Sequence, residues 1–510
     1  MGAVPTADAD RTRAELGVLR PELIGAYDRA LPRARAEILA RLLGALGREP
    51  LPGIAGRAAG RVTLSDGRTL SFPPAAALAY AVAPPGLTCR LGTEEITDPG
   101  VLVRRLGWAR TFHDEIANSV ANLALAYADP PPPAPRPLLD TRPGLATLEQ
   151  LVLDGHPLHP CCRTRGGMDV ADVLAYAPEH RPALRLRRLH VPPDRWYGDT
   201  PPVLLAHPWQ APRLLDRHPW LTPGDDTGPV HPLMSLRTVA TAGGHVKTAV
   251  DVQMTSAVRT VSPAAVHNGP RLSALLREVT ADLPLTVPAE YAAGAVLIDG
   301  RPDRHLAHLH RQAPVAGPGE TVVPLAALAA ADPYDGRPLL LHAATDPYTW
   351  WHDLVHLLFP ALLTVLDRGV ALEAHGQNTL VVLAGGRPTR IVYRDLGGVR
   401  VSPARLRAAG FDPPPLLGDL PSDDPAVLRT KLAAAAGTVT GQLAAVLERA
   451  GADPAKLWPV AAAAVAATGT ADARALLRAP LPVKATTAMR LAADPLDDVW
   501  THLDNPLAAS

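Results

Sequence analysis

Glu373-Ala374-His375-Gly376-Gln377-Asn378, followed by an apolar run, Gly385-Gly386, a second apolar run and Arg394-Asp395, reads as two strands joined by a tight turn at the paired glycines. The runs 380–383 and 391–393 are apolar enough for a sheet interior. Side chains alternate faces along a strand. Glu373, His375 and Gln377 are therefore expected on one face, and a turn centred near Gly386 sets Gln377 opposite Asp395. That face would hold two carboxylates, an imidazole and an amide. Buried polar groups without partners are costly, so a structural sheet face rarely collects this set. Two carboxylates with neutral polar neighbours suit a hard cation such as Mg²⁺ carrying a phosphate ligand. A solvated strand face is the alternative.

Outward from the hairpin the pattern is α+β, with helices at both ends and antiparallel sheet between them. Residues 10–46 have helical periodicity, with Leu16, Leu19, Leu23, Ile38, Leu42 and Leu46 as core candidates. Asp98-Pro99 starts a second long helix to about Tyr127, since Asp caps and Pro suits the first turn. The proline-rich stretch 129–137 reads as a stiff linker and a domain boundary. Mixed short strands are expected from 138 to about 330, then a helix from Trp350 to Leu366. Helices over 428–450 and 457–467 lie near the end. The expected division is 1–137, 138–335 and 336–510. No fixed-period repeat is present.

The 510 residues balance 50 basic against 50 acidic side chains. That neutrality gives no reason to expect nucleic acid or an anionic membrane as partner. Three cysteines, Cys89 and the adjacent Cys161-Cys162, are too few for a disulfide framework and fit a reducing cytoplasm. Met1 to Glu15 lacks the apolar stretch of a secretory signal, and no apolar run reaches the ~20 residues of a membrane span. Only four of the 50 basic residues are lysines: Lys247, Lys431, Lys456 and Lys484. A lysine that persists against so strong a bias toward arginine is a candidate for a role only lysine can fill.

Two further clusters carry chemistry. Gly155-His156-Pro157-Leu158-His159-Pro160-Cys161-Cys162-Arg163-Thr164-Arg165 reads as a rigid loop presenting imidazole and two guanidiniums to a polyanion. Zinc is the alternative, with spacing poorly suited to a tetrahedral site, and an ordinary surface loop is another. Ser235, Arg237 and Thr238 precede Gly243-Gly244, after which 245–254 is expected to be one strand with Lys247, Asp251 and Thr255 on a common face. Thr255 is expected to cap a short helix carrying Arg259 one turn on. Hydroxyl, ammonium and guanidinium groups so arranged can hold phosphates and a carboxylate, or form a structural hairpin with surface charges. Neither a phosphate-binding Gly-x-x-x-x-Gly-Lys-Ser/Thr loop nor Gly-x-Gly-x-x-Gly is present. His207-Pro208-Trp209-Gln210 says little alone, and Trp209 is better suited to a core than to stacking on a ligand.

Taken in order, these motifs resemble the siderophore synthetases that act independently of nonribosomal peptide synthetases, the aerobactin synthetase type. The series is Gly-His-Pro-x-His-Pro at 155–160, Arg-x-Gly at 165–167, His-Pro-Trp-Gln at 207–210, Ser-x-Arg-Thr at 235–238 and Lys247. It continues with Thr-Ser-Ala-x-Arg at 255–259, Asn268-Gly269-Pro270, Glu-Ala-His-Gly-Gln-Asn at 373–378, Arg394-Asp395 and Lys484…Met489-Arg490-Leu491. The resemblance implies a cupped hand: a helical thumb, fingers of mixed α/β structure with antiparallel sheet, and a palm holding the hairpin and the C-terminal helices. It implies ATP-dependent adenylation of a carboxylic acid, most often citrate or a derivative, then condensation with an amine or alcohol and release of AMP. By the same resemblance His159, Arg163, Arg165, Ser235, Arg237, Thr238, Lys247, Gln377 and Asn378 would hold ATP. Thr255, Ser256, Arg259 and His375 would hold the acid, with Glu373 and Asp395 on Mg²⁺. His159, Lys247, Arg259 and His375 would be the catalytic groups, and a homodimer is implied. Lysine is usual in the family where Arg163 stands. The alternatives are the same ligase chemistry in a different pathway and a catalytically silent nucleotide or citrate binder. A phosphotransferase, echoed by Arg-Asp-Leu-Gly-Gly, lacks its glycine-rich and catalytic loops.

Overall fold

The computed structural model describes residues 8–255, 257–492, 494 and 498–508. The hairpin forms as expected. Thr379–Ala384 and Arg387–Tyr393 pair antiparallel from Thr379↔Tyr393 to Ala384↔Arg387. Gly385 and Gly386 have φ of 56° and 81°, as a two-residue type I′ turn requires. Glu320–Pro324 adds antiparallel at one edge and Leu285–Thr286 parallel at the other.

The helix packed on this sheet is Pro347–Asp367. It begins earlier than expected because Asp346 accepts the N–H groups of Tyr348 and Thr349, with Pro347 in the first turn. Trp351, Leu354, Leu358 and Leu362 lie in the largest core, shared with helices Pro425–Arg449 and Pro454–Ala466. The fully buried Trp351 ring stands edge-on to Trp458 at 5.7 Å, and its Nε1 donates to Leu457 O at 2.8 Å.

A second core joins helices Ala9–Leu19, Ile24–Arg48 and Arg110–Ala128 to the five-stranded meander Ile54–Ala58, Arg61–Leu64, Thr69–Ser71, Cys89–Leu91 and Glu94–Ile96. Leu16, Ile38, Leu42 and Leu46 are buried there, whereas Leu19 is exposed. The helix expected over 98–127 is broken into Pro99–Arg105 and Arg110–Ala128, since Gly107 takes a left-handed φ of 72°. Cys161, Cys162, Val252, Met254 and Ala488 also contribute to this core. Between the two cores lies an antiparallel six-stranded sheet in the order His231–Pro232, Thr238–Thr241, Gly244–Thr248, Arg301–Arg311, Glu290–Ile298, Trp196–Gly198.

Two strand expectations are corrected. Residues 372–378 are a loop and turn, not a strand. His375 O accepts both Asn378 N and Thr379 N at 2.9 Å, so the alternation argument does not apply to Glu373, His375 and Gln377. Likewise 245–254 is two strands, Gly244–Thr248 and Val250–Met254, which belong to different sheets. Lys247 therefore shares no strand face with Asp251 or Thr255. Thr255 caps no helix. It has φ of 55° in the connection between Val250–Met254 and Ala257–Arg259, and the next helix, Pro263–Val279, is capped by Ser262. No helix among the described residues is long and apolar enough to cross a membrane.

Because Trp351 joins a sheet, two helices and a buried hydrogen bond, Trp351→Ala is expected to destabilise the protein by about 3–5 kcal/mol. Denaturant titration followed by fluorescence checks this through a lower midpoint.

Candidate active site

The site is built on Asp395. Its backbone takes a left-handed φ of 71° just after strand Arg387–Tyr393, and the Tyr393 hydroxyl donates to its carbonyl at 3.2 Å. A non-glycine residue held in this region commonly marks a functional position. Lys247 Nζ donates to both carboxylate oxygens, at 2.7 and 2.9 Å. Burial opposes ionisation of Asp395, but the charges of Lys247, Arg311 and Arg237 outweigh it and hold the group well below the usual carboxylate range.

Sheet register explains how these groups meet. Thr238 pairs with Lys247, and Lys247 pairs with Leu309 on the next strand. Arg237 sits at the turn before Thr238 and Arg311 lies two residues past Leu309, opposite both His245 and Glu290. Arg237 donates to Thr260 O, which draws the end of strand Ala257–Arg259 to the same place. Arg259 is pulled down to about 10 by burial and by the charges of Arg237 and Arg165, with Asp395 opposing. Arg311 falls to about 10 through burial and the nearby Arg394. Crowding of like charges against one carboxylate is what an absent polyanion would relieve. The Nε–H groups of Arg165, Arg237 and Arg311 are buried with no hydrogen-bond partner among the described residues. Ser235 O accepts Thr238 N at 2.8 Å, setting the turn that presents the Ser235 hydroxyl.

A wall of histidines adjoins this cluster. His156 Nδ1 accepts Leu158 N at 3.2 Å and His159 Nδ1 accepts Cys161 N at 3.0 Å. Each neutral ring thus carries its proton on Nε2. Burial lowers His156 to about 3, holds His159 well below the ordinary imidazole value, and lowers His375 as well. The loop bearing His156 and His159 is fastened to helix Arg110–Ala128. Ser119 Oγ donates to Pro160 O at 2.9 Å, Asn122 Nδ2 to Arg163 O at 3.0 Å, and Asn118 Oδ1 accepts Arg165 N at 2.8 Å. His375 Nε2 and Asn378 Nδ2 lie 3.2 Å apart, and Arg394 donates to Gln377 O at 2.9 Å.

The expected site residues therefore divide. His159, Arg165, Arg237, Thr238, Lys247, Arg259, His375 and Asp395 lie in one connected cluster, with Ser235, Gln377 and Asn378 in the turns beside it and Thr255 in the loop before Ala257–Arg259. Ser256 lies outside the described residues. Arg163 has a different partner from the nucleotide expected. Its guanidinium donates to Glu179 at 3.1 Å, to Leu153 O at 2.6 Å and to Val152 O, and it is 3% exposed. Arg165 shares Glu179 at 3.0 Å, and its charge acts on Arg259. Burial disfavours the Glu179 carboxylate, yet the two guanidiniums bring it down to about 2. The loop does not display Arg163. It buries it.

Glu373 was expected beside Asp395 on a metal. Its Oε1 instead lies 3.2 Å from Lys484 and 3.4 Å from Lys431. Gly398 is needed there, because a Cβ would collide with Glu373 Oε2. Among the described residues no three His, Cys, Asp or Glu side chains form a ready-made metal site. The Asp395 carboxylate would suit a hard cation, and here both of its oxygens accept from the Lys247 ammonium. Zinc at 156–162 is not supported either, as both cysteines are packed into the second core. Trp209 is 5% exposed in that core and donates to Asp172 at 2.9 Å.

Sequence reasoning missed Arg311, Glu290 and Glu149. Glu149 Oε1 meets Arg394 at 2.7 Å and its Oε2 accepts Met234 N at 2.8 Å, with both side chains buried. A glutamate on the inner face of a short apolar helix was the available signal.

Residues 144–202 and 198–330 match the IucA / IucC family, and 348–498 match the ferric iron reductase FhuF-like transporter family. The second segment contains no cysteine, so it offers no thiolate to an iron–sulfur cluster. Staphyloferrin A synthase of Staphylococcus aureus is 29% identical, covering 51% of this chain and 54% of that protein. The rhizobactin siderophore biosynthesis protein RhbC of Rhizobium meliloti is 26% identical, covering 49% and 53%. The chain thus spans about half the length of these relatives. The crystal structure of petrobactin biosynthesis protein AsbB from Bacillus anthracis superposes with a TM-score of 0.79 at 17% identity, covering 98% of both chains. ATP-bound aerobactin synthetase IucA from Klebsiella pneumoniae gives 0.71 at 21%, covering 94% and 99%. These likenesses establish the fold.

Breaking a buried ion pair leaves an uncompensated charge and costs about 3–5 kcal/mol. Arg163→Met is expected to destabilise the protein by that order, with nucleotide affinity unchanged in a direct binding titration. Because the folded pKa of Glu179 is depressed, its contribution is present above the unfolded value near 4.5 and lost as pH falls toward 2. The variant's acid-unfolding curve should lack that part of the transition. The segment that carries Arg165, Arg237, Lys247, Arg259 and Arg311 is thus the part of the chain that matches the IucA / IucC family.

Proposed function

We propose that the protein is an AMP-forming ligase that adenylates a carboxylic acid with ATP and condenses it with an amine or alcohol. Citrate or a citrate derivative is the acid. The observation that carries this is the convergence of Arg237, Lys247, Arg259 and Arg311 on Asp395, with the Nε–H groups of Arg165, Arg237 and Arg311 left without partners among the described residues. Two relatives bear names of the same chemistry: the D-ornithine–citrate ligase of Staphylococcus aureus and a citryl-spermidine ligase of Bacillus anthracis.

In the first step a carboxylate oxygen attacks the α-phosphorus, the bond to the β-phosphate oxygen breaks, and pyrophosphate leaves. All participants are anions, so preorganised positive charge provides the catalysis. Ser235, Arg237, Thr238, Lys247, Arg165, His159, Gln377 and Asn378 are assigned to ATP, and Thr255, Ser256, Arg259 and His375 to the acid. Asp395 would hold Mg²⁺, which supplies charge neutralisation on the phosphates when bound. In the second step the nucleophile attacks the acyl carbon and AMP departs. His375, kept neutral by burial, is available to accept the proton released by the amine.

Phosphorus NMR of turnover with citrate, ATP, Mg²⁺ and hydroxylamine is expected to show AMP and pyrophosphate, and ADP with orthophosphate as sole products would overturn the proposal. Asp395→Asn separates the roles of the Lys247 pair. With the carboxylate gone, Lys247 is free for phosphate, so metal-free ATP should bind about tenfold tighter, as expected for gaining one charged hydrogen bond. Mg²⁺ should no longer improve binding. Calorimetric titration with and without EDTA reads both effects. Arg259→Lys should raise KM for the acid by about tenfold or more and leave KM for ATP nearly unchanged, because lysine cannot grip a carboxylate with two hydrogen bonds.

A further inference from the structure

Three of the four lysines in the chain point into this cleft, and two of them belong to a group outside the nucleotide cluster. Lys431 Nζ lies 3.4 Å from both Glu373 Oε1 and Asp498 Oδ2. Lys484 Nζ lies 3.2 Å from the same Glu373 oxygen and 3.0 Å from Asp498 Oδ1. Two ammoniums and two carboxylates thus alternate in a closed ring of zero net charge. Its members differ in access: the Lys431 side chain is 7% exposed and that of Lys484 is 35%. Lys484 lies within electrostatic reach of both His156 and His375. The three segments come from helix Pro425–Arg449, strand Leu481–Lys484 and the loop before strand Trp500–Leu503.

We propose that Lys431 is a positioning residue that sets the charge of the acid pocket. It neutralises Glu373 and Asp498 from behind, so that Lys484 keeps hydrogen-bonding capacity for an incoming polycarboxylate. Without Lys431, two carboxylates would face one ammonium and the ring would carry a net negative charge toward an anionic substrate. Glu373 is then the counter-ion of two lysines, not a metal ligand. Arginine cannot replace Lys431 without loss elsewhere: a compact ammonium reaches both carboxylates from one point, whereas a guanidinium fork imposes its own plane. That accounts for lysine surviving here in a chain that uses arginine almost everywhere else. The inference rests on the acid-ligase reading of the same cleft.

The test compares 2-hydroxy acids of rising charge, namely lactate, malate and citrate, in hydroxamate formation with ATP and hydroxylamine. Lys431→Met should raise KM by about tenfold or more for citrate, less for malate and little for lactate, as a charge–charge effect grows with substrate charge. KM for ATP should stay within about twofold. Asp498→Asn should do the opposite and lower KM for citrate, since the ring gains a positive charge. It also serves where Lys431→Met fails to fold, because Asp498 is a partly exposed carboxylate. Equal shifts for all three acids, or an equal shift for ATP, would overturn the proposal. If the wild-type protein activates none of the acids, the acid-ligase reading falls. The ring is then decided by peptide mapping after brief acetic anhydride treatment. Lys484 should be acetylated more slowly in Lys431→Met and faster in Asp498→Asn, and unchanged labelling in both would sink it.

Discussion

The buried pair of Arg394 and Glu149 holds the cleft together. Arg394 follows the hairpin, and its guanidinium meets Glu149 on helix Leu145–Gln150. The same glutamate accepts Met234 N, one residue before Ser235, while Arg394 also binds Gln377 O. One ion pair thus fixes three segments far apart in sequence: the turn after His375, the loop before Arg237, and the helix leading to the histidine loop. Isolated surface pairs contribute little, whereas removing one partner of a buried pair is strongly destabilising. The position of Asp395, the residue after Arg394, follows from this constraint.

Around that anchor, charge is sorted by type. Guanidiniums crowd one side of Asp395 and are held at lowered pKa by burial and by each other. Neutral imidazoles adjoin them: burial disfavours their charge, and backbone N–H groups fix the tautomers of His156 and His159. Glu290 sits behind the guanidiniums, its pKa raised by burial and by Asp395, and accepts Leu396 N at 3.2 Å. A cleft so arranged attracts anions and sets the uncharged Nε2–H donors of His156 and His159 beside them.

The hairpin and the capped helices were legible in the sequence because each rests on local chemistry: glycine at a turn and Asp before Pro at a helix start. What was not legible depended on partners distant in sequence. The strand expected through Glu373 and His375 is a loop because His375 O closes a turn on Asn378 and Thr379. Arg163 looked displayed because nothing near it in sequence announces Glu179. The break at Ala249 moves Lys247 and Asp251 into different sheets, which no alternation pattern encodes. Arg311 was overlooked because its neighbours in sequence, histidines and leucines on a long strand, carry no motif, although the register places it opposite His245.

The scarcity of lysine has a consequence for chemical self-damage. On the proposed reaction the protein generates a reactive acyl phosphate anhydride in a cleft that contains three primary amines of its own. Only an unprotonated amine is a nucleophile. Lys247 donates to both oxygens of Asp395 in the ligand-free cleft, and Lys431 and Lys484 lie between Glu373 and Asp498. For Lys484 burial favours the neutral amine, but the two carboxylates prevail and raise its pKa. The fourth lysine, Lys456, stands over the ring of Tyr348 on a distant helix. The two carboxylates thereby keep Lys484, the cleft lysine with the most exposed side chain, from competing with the substrate amine for the activated acid.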